Sequence, residues 1–278
     1  MVRIITDTTS GLPKELTAQL GIPVIPQYVI FGDRTYRDDT ELDTQTFLDL
    51  LKGSKKLPKT AAPSPELYKP LFQQAVVKGD SVIIITPSEK VSGTYNSAMT
   101  ARDDFKGVDI RVIDSFTIAG NLGTLSLVAH EMARSGKSAD EIELKIKSML
   151  PQGRTFFLID TLEYLQKGGR IGGARALLGE LLQVKPILQI KDGQVAPYDQ
   201  ERTKKRALSK LIEIVTEQVK ASVDPHLCVM HVEAEGDARS LASTFSSNLK
   251  IPYIPIYELP PAIVVHAGPK TLAVGFFA

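Results

Sequence analysis

The sequence predicts an α/β protein with a mostly parallel sheet in its first half and a mixed sheet in its second half. In the first half, short apolar runs alternate with longer amphipathic segments, which is typical of βαβ units. The run Ser81–Thr86 (Ser-Val-Ile-Ile-Ile-Thr) is unbroken, which indicates a strand covered on both faces. In the second half, Asp192-Gly193 separates two apolar runs and predicts an antiparallel hairpin. These observations together define the fold class.

The first half contains the following predicted elements, in chain order. Pro13 suits the first position of a helix, Gly32-Asp33 suits a hairpin turn, and Ser138 with Glu141 predicts a capping box. The predicted strands cover residues 2–5, 22–30, 81–86 and 108–113, and the predicted helices cover residues 13–20, 44–51, 66–77, 95–103, 123–135 and 139–150.

The second half has fewer helices, so we expect its sheet to be covered mainly on one side. The predicted strands cover residues 155–159, 184–190, 194–198, 227–232, 251–257 and 271–277, and the predicted helices cover residues 203–221 and 238–249. The rhythm of strands and helices changes near Gln152-Gly153. We therefore predict an N-terminal domain of residues 1–152 and a C-terminal domain of residues 153–278.

Composition excludes several classes of function. The 33 Lys and Arg against 32 Asp and Glu give a formal charge of +1, whereas a general nucleic-acid binder has a basic excess. Cys228 is the single cysteine, and no histidines have zinc-like spacing, so neither a disulfide nor a metal site is expected. We expect no signal peptide and no membrane span, hence a cytoplasmic protein with at most transient membrane contact.

Small polar residues and one histidine follow several predicted strands. In open α/β sheets, ligands bind beyond the carboxyl ends of the strands, which makes Thr6-Asp7-Thr8, Thr60, Ser92-Gly93-Thr94 and His266 candidate contacts. Ser92-Gly93-Thr94 precedes a helix, where backbone N–H groups bind anions. It lacks the lysine of a P-loop and the spacing of a dinucleotide motif, so nucleotide binding is disfavoured. Turn and cap roles for the hydroxyls, and a structural role for His266, stay open.

A serine-dependent acyl hydrolase is the main alternative from another class. Ser92, Asp114 and His266 occur in the order of α/β-hydrolase triads. However, the serine lies in Lys-Val-Ser-Gly-Thr rather than Gly-x-Ser-x-Gly, so it lacks the tight turn that presents a nucleophile. The loop at residues 167–170 could bind phosphate or be a simple turn. Considered alone, Arg202 is expected to be a surface cation rather than a ligand contact.

Several motifs, taken in order, resemble the DegV family, whose best-understood members are the fatty acid-binding (FakB-like) subunits of bacterial fatty acid kinase. The resemblance extends over essentially the whole chain. The matching segments are residues 4–9, 88–98, 112–115, 162–171, 182–188, 192–193, 202–203 and 266–269. The resemblance implies a three-layer α/β/α domain followed by a smaller two-layer α/β domain, which agrees with the change of rhythm.

The resemblance also implies a ligand and a partner. A long-chain fatty acid such as palmitate would lie in a buried tunnel, and its carboxylate would contact Thr60 and Ser92, with His266 nearby. Arg170 and Arg202 would lie near the mouth, where the family engages its kinase. The chain would then be a carrier without catalytic residues or a cofactor, which presents the carboxylate for acyl-phosphate formation in phospholipid synthesis.

One departure from the family pattern concerns the head group. The family usually has Ser-Gln after the threonine, whereas this chain has Ala61-Ala62. Any contact made by those polar side chains is therefore absent here, although Thr60 is retained. A regulatory protein that senses lipid is a third interpretation. The sequence does not determine the preferred acyl length or saturation.

Overall fold

The computed structural model describes residues 1–178 and 184–278. Of the predicted motifs, only residues 182 and 183 of the segment 182–188 lie outside the described residues. The strands are β1 (Val2–Asp7), β2 (Val24–Ile25), β3 (Tyr28–Phe31), β4 (Arg34–Arg37), β5 (Lys59–Ala61), β6 (Ser81–Thr86), β7 (Ile110–Asp114), β8 (Gly153–Leu158), β9 (Lys185–Lys191), β10 (Gln194–Glu201), β11 (Cys228–His231), β12 (Ile256–Glu258) and β13 (Leu272–Phe277). The α-helices are α1 (Lys14–Leu20), α2 (Thr44–Gly53), α3 (Lys69–Lys78), α4 (Thr94–Asp103), α5 (Gly120–Arg134), α6 (Ala139–Met149), α7 (Glu163–Lys167), α8 (Lys204–Val219), α9 (Glu235–Leu249) and α10 (Pro261–Ala267).

The first sheet is parallel and has helices on both faces. Its strand order is β2-β1-β6-β7, and each neighbouring pair is parallel. Ile83 and Ile85 of β6 pack with residues of α5 and α6, whereas Val82 and Ile84 pack with residues of α3 and α4. Successive side chains of a strand point to opposite faces, so both faces of this sheet must be covered. The predicted three-layer α/β/α architecture is confirmed.

The second sheet is mixed, with strand order β10-β9-β8-β13-β11-β12. The pair β11-β12 is parallel and the other pairs are antiparallel. Phe156 and Leu158 of β8 pack with residues of α8 and α9, while Phe157 on the opposite face belongs to a separate apolar cluster. The predicted mixed sheet is confirmed. Its strands all follow Gln152, but the domain boundary between residues 152 and 153 stays a prediction.

A third, small sheet was predicted only in part. It has the order β4-β3-β5, and both pairs are antiparallel. The hairpin at Gly32-Asp33 is confirmed, since Phe31 pairs with Arg34. The short strand β5 carries Thr60, which pairs with Val29, and no pattern in the sequence indicated this strand.

Two predictions near the C-terminus are wrong. Residues 251–255 are not a strand, and β12 begins only at Ile256, because Pro252 and Pro255 cannot donate to a sheet. The placement of His266 after a strand is also wrong: the apolar run before it is the helix α10, since Pro261 occupies its first turn and Gly268 ends it at φ 81°. None of the helices in the described residues is both long and apolar enough to span a membrane.

Candidate functional site

An apolar cavity lies against the face of the mixed sheet that α8 and α9 leave uncovered. The space inside it is narrow, about 90 Å³, and it is partly open to solvent. Its apolar walls come from β8, β9, β10, β13, α7 and α10. Among the described residues, the polar side chains on its wall are those of Thr155, Arg170, His266 and Thr271. The cavity therefore suits a ligand that is mostly apolar with one polar end.

His266 on α10 lines this cavity and contacts Thr60 on β5, which lies behind it and is not part of the cavity wall. The distance between His266 Nε2 and Thr60 Oγ1 is 2.8 Å, although the residues are 206 positions apart in the sequence. Burial, and then the positive charge of Arg170, lower the pKa of His266 to about 4. The imidazole is therefore neutral at physiological pH and contributes a hydrogen bond rather than a charge.

The other ring nitrogen determines what Thr60 can do. Among the described residues, His266 Nδ1 is buried and has no hydrogen-bond partner. A proton on Nδ1 would then lack an acceptor, beside the positive charge of Arg170. We therefore assign the proton to Nε2, which donates to Thr60 Oγ1. The hydroxyl proton of Thr60 is then available to a ligand oxygen.

The turn that carries Ser92 lies beside the segment that carries Thr60. A Cβ built on Gly93 would be 3.2 Å from Cβ of Ala62, so these two backbone segments are in contact. Ser97 on α4 donates to the carbonyl of Pro63 at 2.5 Å. These contacts join the loop after β5 to the start of α4. Thr60, Ser92 and His266 thus belong to three segments that adjoin one another, and their contact with a carboxylate stays a prediction.

The two candidate arginines differ in their surroundings. Arg170 is half-buried and lines the cavity, and it donates from Nε to the carbonyl of Val91 at 3.1 Å and from Nη1 to that of Gly168 at 2.8 Å. In residues 1–178 and 184–278 no carboxylate lies within salt-bridge distance of it. Arg202 is exposed between β10 and α8 and is not part of the cavity wall. The structure therefore puts one arginine at the cavity and leaves the other at the surface.

Two buried carboxylates, those of Asp7 and Asp38, both accept hydrogen bonds from Gln27. Asp7 is 1% exposed, and burial raises its pKa to about 6 despite four hydrogen bonds. Asp38 is 4% exposed, and burial together with the charge of Asp7 raises its pKa to about 7. The sequence singled out Asp7 within a cluster at a strand end, but Asp38 carried no signal. Its partners are Thr8 Oγ1 at 2.9 Å and the backbone N–H of Gln27 at 2.8 Å, both set by the tertiary fold.

The geometry does not assemble the triad of the hydrolase alternative. Asp114 accepts hydrogen bonds from the backbone N–H groups of Phe116 and Glu89 rather than from His266. The hydroxyl partner of His266 is Thr60, and the hydroxyl partner of Ser92 is Thr94. Ser92 therefore lacks the adjacent general base that a serine nucleophile requires.

Comparison with known proteins agrees with this architecture. The DegV family model matches residues 1–278. The chain belongs to the DegV family. A DegV domain-containing protein of Clostridium perfringens is 33% identical over 279 residues, which cover 99% of this chain and 98% of that protein.

Two solved DegV family structures have the same fold over their whole length. That of Thermus thermophilus, described by its fatty acid binding, has a TM-score of 0.94 and 29% identity, covering 100% of this chain and 99% of the other. DegV of Bacillus subtilis, described as a fatty acid binding protein, has a TM-score of 0.90 and 31% identity with the same coverage. Both descriptions concern fatty acid binding by those two proteins.

Proposed function

We propose that this protein binds a long-chain fatty acid, with the acyl chain in the apolar cavity and the carboxylate near Thr60, Ser92 and His266. The observation that carries the proposal is the apolar cavity whose wall includes Arg170 and His266, the latter hydrogen-bonded to Thr60. Descriptions of the related structures as fatty acid-binding proteins support the same ligand class.

The acyl chain and the carboxylate of the ligand contribute differently to binding. Each buried methylene contributes about 0.8 kcal/mol, so a long saturated chain gains on the order of 10 kcal/mol before the cost of ordering it. A buried carboxylate without partners would cancel much of this gain. The hydroxyl of Thr60, the hydroxyl of Ser92 and the guanidinium of Arg170 supply donors for it. The acyl chain thus provides affinity, and the polar end fixes the orientation.

We further propose that the protein presents this carboxylate to a fatty acid kinase, which forms the acyl phosphate. The chain carries no P-loop or dinucleotide motif, so the nucleotide would come on the partner. Arg170 at the cavity and Arg202 on the surface are the proposed contacts for the head group or the partner. This role rests on the family resemblance and on the absence of a hydrolase triad.

Calorimetry on delipidated protein tests the ligand. We expect delipidated wild type to bind palmitate. Thr60→Ala and Ser92→Ala should each lower the affinity for palmitate by roughly 10-fold, because a hydrogen bond to a charged group contributes about 1.5–3 kcal/mol. Thr100→Ala is the matched control, since that exposed hydroxyl on α4 bonds only within its own helix. Failure of delipidated wild type to bind any long-chain fatty acid would refute the proposal, as would unchanged affinity in the Thr60→Ala, Ser92→Ala double variant.

A coupled assay tests the kinase role. Delipidated protein, palmitate, ATP and the catalytic subunit of a bacterial fatty acid kinase should yield acyl phosphate. Arg202→Ala should retain fatty acid affinity and reduce acyl-phosphate formation, because Arg202 lies away from the cavity wall. Turnover of acyl esters by the protein alone, lost in Ser92→Ala, would instead support the hydrolase alternative.

A further inference from the structure

A chain of hydroxyl groups connects Ser92 to the buried carboxylate of Asp7. Ser92 Oγ lies 2.9 Å from Thr94 Oγ1, and Thr94 Oγ1 lies 3.2 Å from Asp7 Oδ2. Gln27 Nε2 contacts both Thr94 Oγ1, at 2.8 Å, and Asp7 Oδ2, at 2.6 Å. Thr94 is 1% exposed and Gln27 is 3% exposed, so water does not interrupt this chain.

The number of protons on this chain limits what Ser92 can do. A threonine hydroxyl has one proton and two acceptor positions. An ionised Asp7 carboxylate can only accept hydrogen bonds, so the hydroxyl proton of Thr94 is directed to Asp7 Oδ2. Gln27 Nε2 donates to Thr94 Oγ1 at the same time. Thr94 then has no proton for Ser92, and the nearest acceptor for the Ser92 proton is Thr94 itself. In this state the Ser92 proton is directed to Thr94 and is not available to a ligand.

Protonation of Asp7 reverses every bond in the chain. A protonated Asp7 donates from Oδ2 to Thr94, Thr94 donates to Ser92, and Ser92 has its own proton left for a ligand carboxylate. Gln27 still donates to Thr94 and to the remaining lone pair of Asp7 Oδ2. Each hydroxyl in this state donates once and accepts at least once, so no group is left unsatisfied.

We propose that Asp7 is a positioning residue of the head-group site, which takes up one proton from solvent when a fatty acid carboxylate binds at Ser92. The inference rests on the proposed function, because it requires that carboxylate. Asp7 does not touch the ligand and acts through Thr94. The anionic ligand arrives, Asp7 binds a proton, and the net charge of the buried region stays constant.

The surroundings of Asp7 are consistent with such uptake. Burial raises the pKa of Asp7 to about 6, and a second anion bound nearby raises it further. The titratable groups that face it are Asp38, whose pKa is raised to about 7, and Tyr68, whose raised pKa keeps its hydroxyl protonated. His266 on α10, beyond this network, is neutral above pH about 4. Among the described residues that face Asp7, Asp38 is therefore the competing site for the proton.

The sign of the pH dependence follows from these groups. Free protein has Asp7 mostly ionised above pH about 6, whereas the complex has it protonated. Affinity is then highest at low pH and falls as the pH rises above about 6, by up to 10-fold per pH unit for one proton. The fatty acid carboxylate is itself ionised across this range, since ordinary carboxyl groups have pKa values near about 4.

Calorimetry with palmitate at pH 7.5, in phosphate and in Tris, counts the protons exchanged, because the two buffers differ in ionisation enthalpy. We expect wild type to take up close to one proton per palmitate, and Asp38→Asn to retain most of that uptake. Asp7→Asn should bind palmitate with no proton uptake, because an amide does not take up a proton in this pH range.

Variants of Thr94 test the connection itself. Thr94→Val removes the hydroxyl at similar volume and should abolish proton uptake and weaken binding about 10-fold, whereas Thr94→Ser should restore both. Palmitate binding by wild type without proton uptake would overturn the inference and leave the proposed function intact, and this measurement needs no variant. Loss of proton uptake in Asp38→Asn, with uptake retained in Asp7→Asn, would also overturn the assignment to Asp7. Absence of any binding would refute the proposed function and this inference together.

Discussion

Gly168→Ala is expected to disable the polar end of the cavity without unfolding the protein. Gly168 follows α7, and its φ of −77° is a conformation that alanine adopts readily. A Cβ at this position would lie 2.2 Å from Nδ1 of His266 and 2.9 Å from the carbonyl oxygen of Tyr164. Contacts this short do not occur between unbonded atoms, so the imidazole has to move and the end of α7 near the Tyr164 carbonyl has to shift slightly.

The displacement of the ring sets the magnitude of the effect. A normal contact between carbon and nitrogen is close to about 3.5 Å, so the imidazole must retreat by more than 1 Å or change rotamer. The hydrogen bond between His266 Nε2 and Thr60 Oγ1, at 2.8 Å, does not survive such a shift. Loss of this bond and of the Thr60 orientation costs about 1–3 kcal/mol, which corresponds to a decrease in fatty acid affinity of roughly 5- to 150-fold.

The assay is palmitate titration of delipidated Gly168→Ala by calorimetry, with thermal unfolding of the same sample to show that it is folded. Gly169→Ala is the matched control, because its Cβ would meet nothing within 4 Å. Its φ of +73° disfavours alanine by about 1–2 kcal/mol, so this control should lose stability and retain affinity. Wild-type affinity in folded Gly168→Ala would refute the assigned role of the Thr60–His266 pair.

Three further outcomes test the core and the buried groups. The side chain of Phe72 on α3 is 0% exposed and packs against the parallel sheet. Phe72→Ala should therefore lower the free energy of unfolding in urea by about 3–5 kcal/mol, and a loss below 1 kcal/mol would contradict this packing. Cys228 is buried, and burial raises its pKa to about 12. It should not react with a thiol reagent in the native state and should yield one reactive thiol after denaturation. Rapid labelling of the native protein would contradict its burial. For Asp7, the pKa is raised from 3.8 to about 6, so the wild-type carboxyl contributes full stability below pH about 4 and loses it as the pH rises through 6. Asp7→Asn should therefore gain stability relative to wild type by on the order of 3 kcal/mol between pH 4 and pH 8, and a pH-independent difference in urea midpoints would contradict the buried carboxyl.

The sequence by itself determined the elements that depend on local pattern. Ser81–Thr86 has an unbroken apolar run because both of its faces are covered, and Asp192-Gly193 forms its hairpin because the two residues favour a tight turn. Ser138 caps α6 through the predicted box with Glu141. The ordered motifs were sufficient to identify the family, and with it the candidates Thr60, Ser92 and His266.

Tertiary structure decided which of these residues meet. Thr60 and His266 are 206 positions apart, and Asp7 and Thr94 are 87 apart, so no local periodicity contains either contact. The helical conformation of α10 was missed because four apolar residues in a row suit a strand as well as a buried helix. The cavity itself exists only where one face of the mixed sheet is left uncovered by α8 and α9. Sequence patterns specify which face of an element is apolar, whereas the packing of the sheets determines what that face encloses.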